Sequence, residues 1–135
     1  MARVVRTAID AGAVVESVAG SDAGAVLTFS GDVRDHHRGR KVTGIDYHAY
    51  ESMAVKEMEK IERQVGERWS DCRVQIVHRL GHLSPGETSV LIAVASPHRN
   101  EGFEALRYAI DTLKETAPIW KKEMYIDGHS WIEGS

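Results

Sequence analysis

The hydrophobic period changes near residue 52, and that switch limits the fold more than any other feature of the chain. Over residues 42–50, "VTGIDYHAY", Ile45, Tyr47 and Ala49 alternate with Asp46, His48 and Tyr50. A two-residue period marks a strand with one buried face. From Ser52 to about Trp69 the apolar positions are Ala54, Met58, Ile61, Val65 and Trp69, at spacings of four, three, four and four. That is one stripe of an amphipathic helix. A half-buried strand running straight into such a helix requires a sheet with helices laid on it.

The rest of the chain extends this pattern. Residues 3–9, "RVVRTAI", read as a short strand, and Asp10 is placed to cap a short helix to about Val18. A turn at 20–24 leads to a strand over 25–33, then to the loop "GDVRDHHRGRK" at 31–41. After the long helix, "CRVQIVHR" (72–79) is a strand, and "SPGE" (84–87) puts Pro85 and Gly86 where a type II turn wants them. The most apolar run, "TSVLIAVAS" (88–96), predicts a central strand. Asn100 is placed to cap a second helix from Glu101, with Phe103, Leu106, Ile110 and Leu113 on its inner face. Pro118 biases Ala117 away from helical angles, so this helix stops near Thr116. Residues 119–126 continue as an extended segment, and "DGHSW" (127–131) turns near the end. Neighbours are hairpin-like rather than strictly βαβ. The expected fold class is α+β, a mainly antiparallel sheet with two main helices packed on it, in a single domain over residues 1–135.

Composition narrows the function. A net charge of −3 argues against a general nucleic-acid binder, although a local cationic pocket depends on nearby charges and not on the total. The lone Cys72 excludes a disulfide framework and a Cys-rich metal site. No apolar run approaches the ~20 residues that span a bilayer. The start "MARVVRTAID" lacks a signal-peptide core, so a cytoplasmic location is expected.

Three segments carry possible chemistry. The loop at 31–41 holds Arg34, His36, His37, Arg38, Arg40 and Lys41. "SPHRN" (96–100) sets His98 and Arg99 at a helix start, where backbone N–H groups and the helix dipole favour anions. "KETAPIWKKE" (114–123) supplies Lys114, Lys121, Lys122 and Glu123 around Pro118. On an extended segment Lys121 and Glu123 share one face, while Trp120, Lys122 and Met124 share the other. Each segment also has a plain reading, as a solvated loop or as lysine stems covering apolar surface. Metal chemistry lacks support: His78 and His82 share no helical face, and no carboxylate accompanies them. There is no P-loop and no GxGxxG. What remains is a cationic site for an anionic substrate, with lysine as its only reactive group.

Taken together, "FSGDVR" (29–34), "YHAYESMA" (47–54), "HRLGHLSPGE" (78–87), "SPHRNEGFEA" (96–105), "LKETAPIWKKE" (113–123) and "DGHSW" (127–131) resemble the large, catalytic subunits of molybdopterin synthase. The resemblance covers roughly residues 25 to 131, in the family's order. It implies an α/β fold with a hammerhead-like subdomain and a sulfurtransferase that builds the dithiolene of molybdopterin from cyclic pyranopterin monophosphate. It implies two partners. One is a small ubiquitin-like subunit whose C-terminal Gly-Gly tail carries the sulfur as a thiocarboxylate. The other is a second copy of the large subunit, at the centre of a heterotetramer. No metal or cofactor is implied. Carried over residue by residue, Lys114 and Lys121 match the active-site lysines. Arg34, His98 and Arg99, with Lys121, match the substrate-binding positions. Phe29 is expected to line the tail channel, Pro118 and Trp120 to brace Lys121, and Glu123 to orient it. Three positions depart from the pattern: His48 stands where Glu is frequent, His37 where Asn is, and Asp32 adds a charge beside Arg34. Some members continue beyond the equivalent of Ser135 with basic residues that reach across the dimer, and the resemblance leaves open whether such a residue completes the site here. Two other readings remain: a scaffold that docks a ubiquitin-like tail without chemistry, and a metal-free enzyme on another phosphorylated metabolite.

Overall fold

The computed structural model describes residues 1–134, so the expectation at Ser135 lies outside the described residues. The elements run β1 (Arg3–Val5), α1 (Ala11–Val18), β2 (Ala25–Asp32), β3 (His36–His37), β4 (Arg40–Ala49), α2 (Glu51–Arg68), β5 (Arg73–Arg79) and β6 (Gly81–Leu83). They continue as β7 (Thr88–Ser96), α3 (Arg99–Thr116), β8 (Ile119–Tyr125) and β9 (Gly128–Glu133). One sheet has the order β1-β5-β7-β2, and the second the order β3-β4-β8-β9 with β6 also paired to β4. Among the described residues only β1 and β5 pair in parallel. The antiparallel-rich α+β class matches the sequence expectation.

Three cores follow from the apolar patterns. The helices α2 and α3 cover one face of the first sheet, where Met58, Ile61, Val65 and Leu113 meet Ile76, Ile92 and Val94. On the other face, Val14 and Val18 of α1 pack on Val77, Leu91 and Ala93. Strand β7 is therefore covered on both sides, and its unbroken apolar run is the pattern of a central strand. The third core joins the second sheet to α2 through Val42, Ile45, Tyr47, Ala54, Leu83 and Ile119.

Local signals behave as their chemistry dictates. Asp10 accepts a hydrogen bond from the Ala13 N–H at 3.1 Å and caps α1. Gly86 takes φ +90°, and Glu87 N–H donates to the Ser84 carbonyl at 3.1 Å, closing the expected turn. The helix α3 ends at Thr116, with Ala117 extended before Pro118.

Its start differs from expectation. His98, not Asn100, holds the N-cap position, and it makes no side-chain capping bond. The Ser96 hydroxyl instead donates to the His98 carbonyl at 2.6 Å. The buried face is Gly102, Ala105, Ala109, Ile110 and Leu113, while Phe103 is 60% exposed. Small residues win this face because α3 lies close to the sheet, with Gly102 against Leu27. Strand β1 is shorter than the expected 3–9, and β3, β6 and β9 fall where the sequence suggested loop or turn.

Candidate active site

Lys114 and Lys121 arrive from different elements. Lys114 stands in the last turn of α3, and Lys121 on β8 after the bend at Pro118. Along β8, Ile119, Glu123 and Tyr125 are buried and Lys121 is half-buried on the same face. That face turns towards β4, where Tyr47 is the cross-strand partner of Lys121 and Ile45 that of Glu123.

Lys121 lines a narrow pocket of about 60 Å³ with Arg34, Tyr47, Glu123 and Asp32. Burial pulls its ammonium below the usual lysine range; Glu123 opposes that, and the charges of Lys114 and Arg34 add to it. The two lysines and Arg34 thus share one electrostatic neighbourhood. Glu123 is buried and accepts a hydrogen bond from the Tyr125 hydroxyl at 3.2 Å. Arg34 is steadied from its own loop, its Nη2 donating to His37 Nδ1 at 2.9 Å. Asp32 is occupied elsewhere: it accepts from the Ser30 and Thr88 hydroxyls at 2.6 and 2.7 Å, and these bonds hold its carboxyl below the usual range.

Two open grooves meet at Lys114. One, of about 410 Å³, is apolar and runs along α3 past Phe29, Phe103 and Ile110. The other, of about 480 Å³, passes Pro118, Trp120, Tyr50 and Glu133. Trp120 is braced on the outer face of the sheet, stacked with His48 at 6.1 Å and met edge-on by Tyr50 at 5.2 Å. Two separate approaches thus lead to one amine.

His98 and Arg99 lie elsewhere. They open α3, fifteen residues before Lys114 at its far end, so about 22 Å separates the two along the helix. His98 lines a different pocket of about 300 Å³, with Trp69, Asp71 and Glu101. Within one chain the structure joins Lys114, Lys121, Arg34, Phe29, Pro118, Trp120 and Glu123, and leaves His98 and Arg99 apart. Two residues at the centre were not singled out in the sequence. Tyr47 was read only as an inward strand position, and His78 only as half of a failed metal pair. Among the described residues no group of three or more His, Cys, Asp or Glu could hold a metal ion.

Comparison with known proteins identifies the family. The family model described as MoaE protein matches residues 4–116. The molybdopterin synthase catalytic subunit of Halalkalibacterium halodurans is 44% identical over 119 residues, covering 88% of this chain and 76% of the relative. The crystal structure of molybdopterin synthase from Staphylococcus aureus superposes with a TM-score of 0.92 at 40% identity, covering 96% of this chain and 94% of that one. A complex of subunits 1 and 2 of molybdopterin-converting factor from Helicobacter pylori has the same fold, with a TM-score of 0.80 at 22% identity over 96% of this chain and 88% of that one. The chain belongs to the MoaE protein family.

Proposed function

We propose that the chain is the catalytic subunit of a molybdopterin synthase. It transfers two sulfurs from the C-terminal thiocarboxylate of a small ubiquitin-like subunit to cyclic pyranopterin monophosphate, forming the molybdopterin dithiolene. The observation that carries this reading is the shared electrostatic neighbourhood of Lys114, Lys121 and Arg34, with two grooves meeting at Lys114. Both reactants are anions, and fixed cations let them approach despite their repulsion. Lys114 faces the thiocarboxylate carbonyl, where an ammonium stabilises developing oxyanion charge or exchanges a proton. Lys121 binds the pterin substrate or assists proton transfer, and Glu123 on the same face steadies it. Phe29 lines the channel for the tail.

The distance along α3 bears on assembly. For His98 and Arg99 to bind the same substrate, they must come from a second copy of the chain. The proposed homodimer supplies that copy, with one small subunit on each side. The reading includes a single catalytic domain over residues 1–135, a cytoplasmic location, and no resident metal or cofactor. No helix among the described residues is long and apolar enough to cross a membrane.

The test is reconstitution: this chain, a thiocarboxylated small subunit and cyclic pyranopterin monophosphate, scored for dithiolene. Product only when all three are present supports the reading. Tail binding without product points to a scaffold, and turnover of another phosphorylated metabolite by the chain alone overturns the proposal.

A further inference from the structure

Two buried side-chain nitrogens among the described residues have no hydrogen-bond partner, and one is Nε2 of His78. The ring is fully enclosed. It stands two residues after Ile76 on β5, so both project to the side covered by α2 and α3. Its Nδ1 lies 2.8 Å from the Arg79 carbonyl oxygen. A carbonyl only accepts, so Nδ1 carries the proton and Nε2 keeps a lone pair. An enclosed acceptor left empty costs stability, and its persistence in a close-packed core calls for a reason. Tyr47 meets the ring edge-on, 5.3 Å between centroids, and Tyr47 is the cross-strand partner of Lys121. Lys121 takes part in no salt bridge among the described residues. A buried acceptor without a donor thus adjoins a half-buried ammonium that feels the charge of Glu123 but makes no salt bridge with it.

We propose that His78 is a positioning residue for Lys121: its enclosed Nε2 lone pair, unpaired in this structure, accepts a hydrogen bond from the Lys121 ammonium when that amine turns towards it, holding the amine at the pocket it shares with Arg34 and Tyr47. The inference rests on the reading of Lys121 as a working residue of the sulfur-transfer site. It requires a neutral ring, since an imidazolium has no lone pair and repels both lysines. Burial supplies that state by pushing the imidazole down to about 4; the Arg79 carbonyl opposes, and the charges of Lys114 and Lys121 push the same way. The ionisable groups around the ring are Tyr47 from β4, Lys114 from α3 and Lys121 from β8. Arg79, next on β5, turns its guanidinium to Glu87 at 3.2 Å. An accepted hydrogen bond favours the charged amine, so His78 offsets part of the lowering that burial imposes on Lys121.

The test is a titration of Lys121 in the full chain. An amine-reactive reagent is applied across a pH series, and modification at Lys121 is read by peptide mass spectrometry. His78→Phe and His78→Leu remove the acceptor, while His78→Gln returns an amide oxygen near the Nε2 position. In the Phe and Leu variants the midpoint for Lys121 is expected to fall by about one pH unit. Dithiolene formation by the reconstituted complex is expected to fall about tenfold, as for one charge-assisted hydrogen bond lost. Gln should restore both. Identical Lys121 midpoints in all four proteins overturn the proposal, and so does a Gln variant as impaired as Phe. The titration needs neither pterin nor carrier. A wild-type chain that makes no dithiolene therefore sinks the functional reading, while the role of His78 stands or falls on the Lys121 midpoint.

Discussion

Lys114 and Lys121 reach one electrostatic neighbourhood from a helix end and a strand, and neither is unusual alone. Burial, with the charges of Lys114 and Arg34 beside it, makes the Lys121 ammonium easier to discharge than a lysine on an open surface. Lys114→Ala is expected to lower product formation by about 100-fold or more, the range for a lost acid–base or oxyanion group. Affinity for the small subunit should change little, because a docked body buries far more than one side chain. Calorimetry on the variant, beside the dithiolene assay, checks both halves. The buried His78 makes a separate prediction about stability. Between pH 6.5 and 4 the unfolded chain binds a proton at this residue and the folded chain does not. Stability is then full above pH 6.5 and falls as the pH drops through that window, by at most about 3 kcal/mol from this residue. Denaturant titrations of wild type and His78→Phe at pH 7 and pH 4.5 should show the smaller acid loss in the variant. The lysines stood out in the sequence because "LKETAPIWKKE" carries them in the family resemblance. His78 was not, because its role comes from an enclosure built by β4, α3 and β8, which no local pattern in β5 announces.

Elements place these residues, and two glycines show how tightly. Gly24 donates its N–H to the Ser96 carbonyl at 3.0 Å, and a Cβ there would press into the Pro97 carbonyl, which belongs to rigid backbone. Gly24→Ala should therefore cost about 1–3 kcal/mol, and it should disturb the loop that presents His98 and Arg99. Gly66, inside α2, has open space around it. Gly66→Ala is expected to add about 0.5–1 kcal/mol of stability through helix propensity alone. Urea midpoints of the two variants should move in opposite directions, and a shared sign would undo this account of the loop contact. At this scale the sequence was informative wherever a period ran long enough to register. The stripe from Ala54 to Val65 and the run at 88–96 each name their buried face. Strands of two or three residues, His36–His37 and Gly81–Leu83, exist only because β4 offers them an edge. The inner face of α3 was misread at Phe103 because hydrophobicity was weighed without size. Close packing against the sheet favours Gly102 and Ala105, which leaves the larger ring outside, beside the apolar groove.

At the scale of the whole molecule, the length of α3 decides how the site is completed. A rigid 18-residue helix with Lys114 near one end and Arg99 at the other cannot bring both to one substrate within a chain. A two-fold dimer can, since each copy then offers its α3 start to the site of its partner. This arrangement has a signature that no single-chain site can imitate. Lys114→Ala and Arg99→Ala, each inactive or weak alone, are mixed, dissociated and allowed to exchange subunits. In a mixed dimer one site inherits both defects, while the other pairs an intact Lys114 with an intact Arg99. Random exchange makes half the dimers mixed, so activity should recover to about one quarter of wild type. Mixing without exchange serves as the control, and the dithiolene assay reports the recovery. If the mixture performs no better than the average of its parts, Arg99 serves its own chain or no site at all, and the shared-site geometry is wrong.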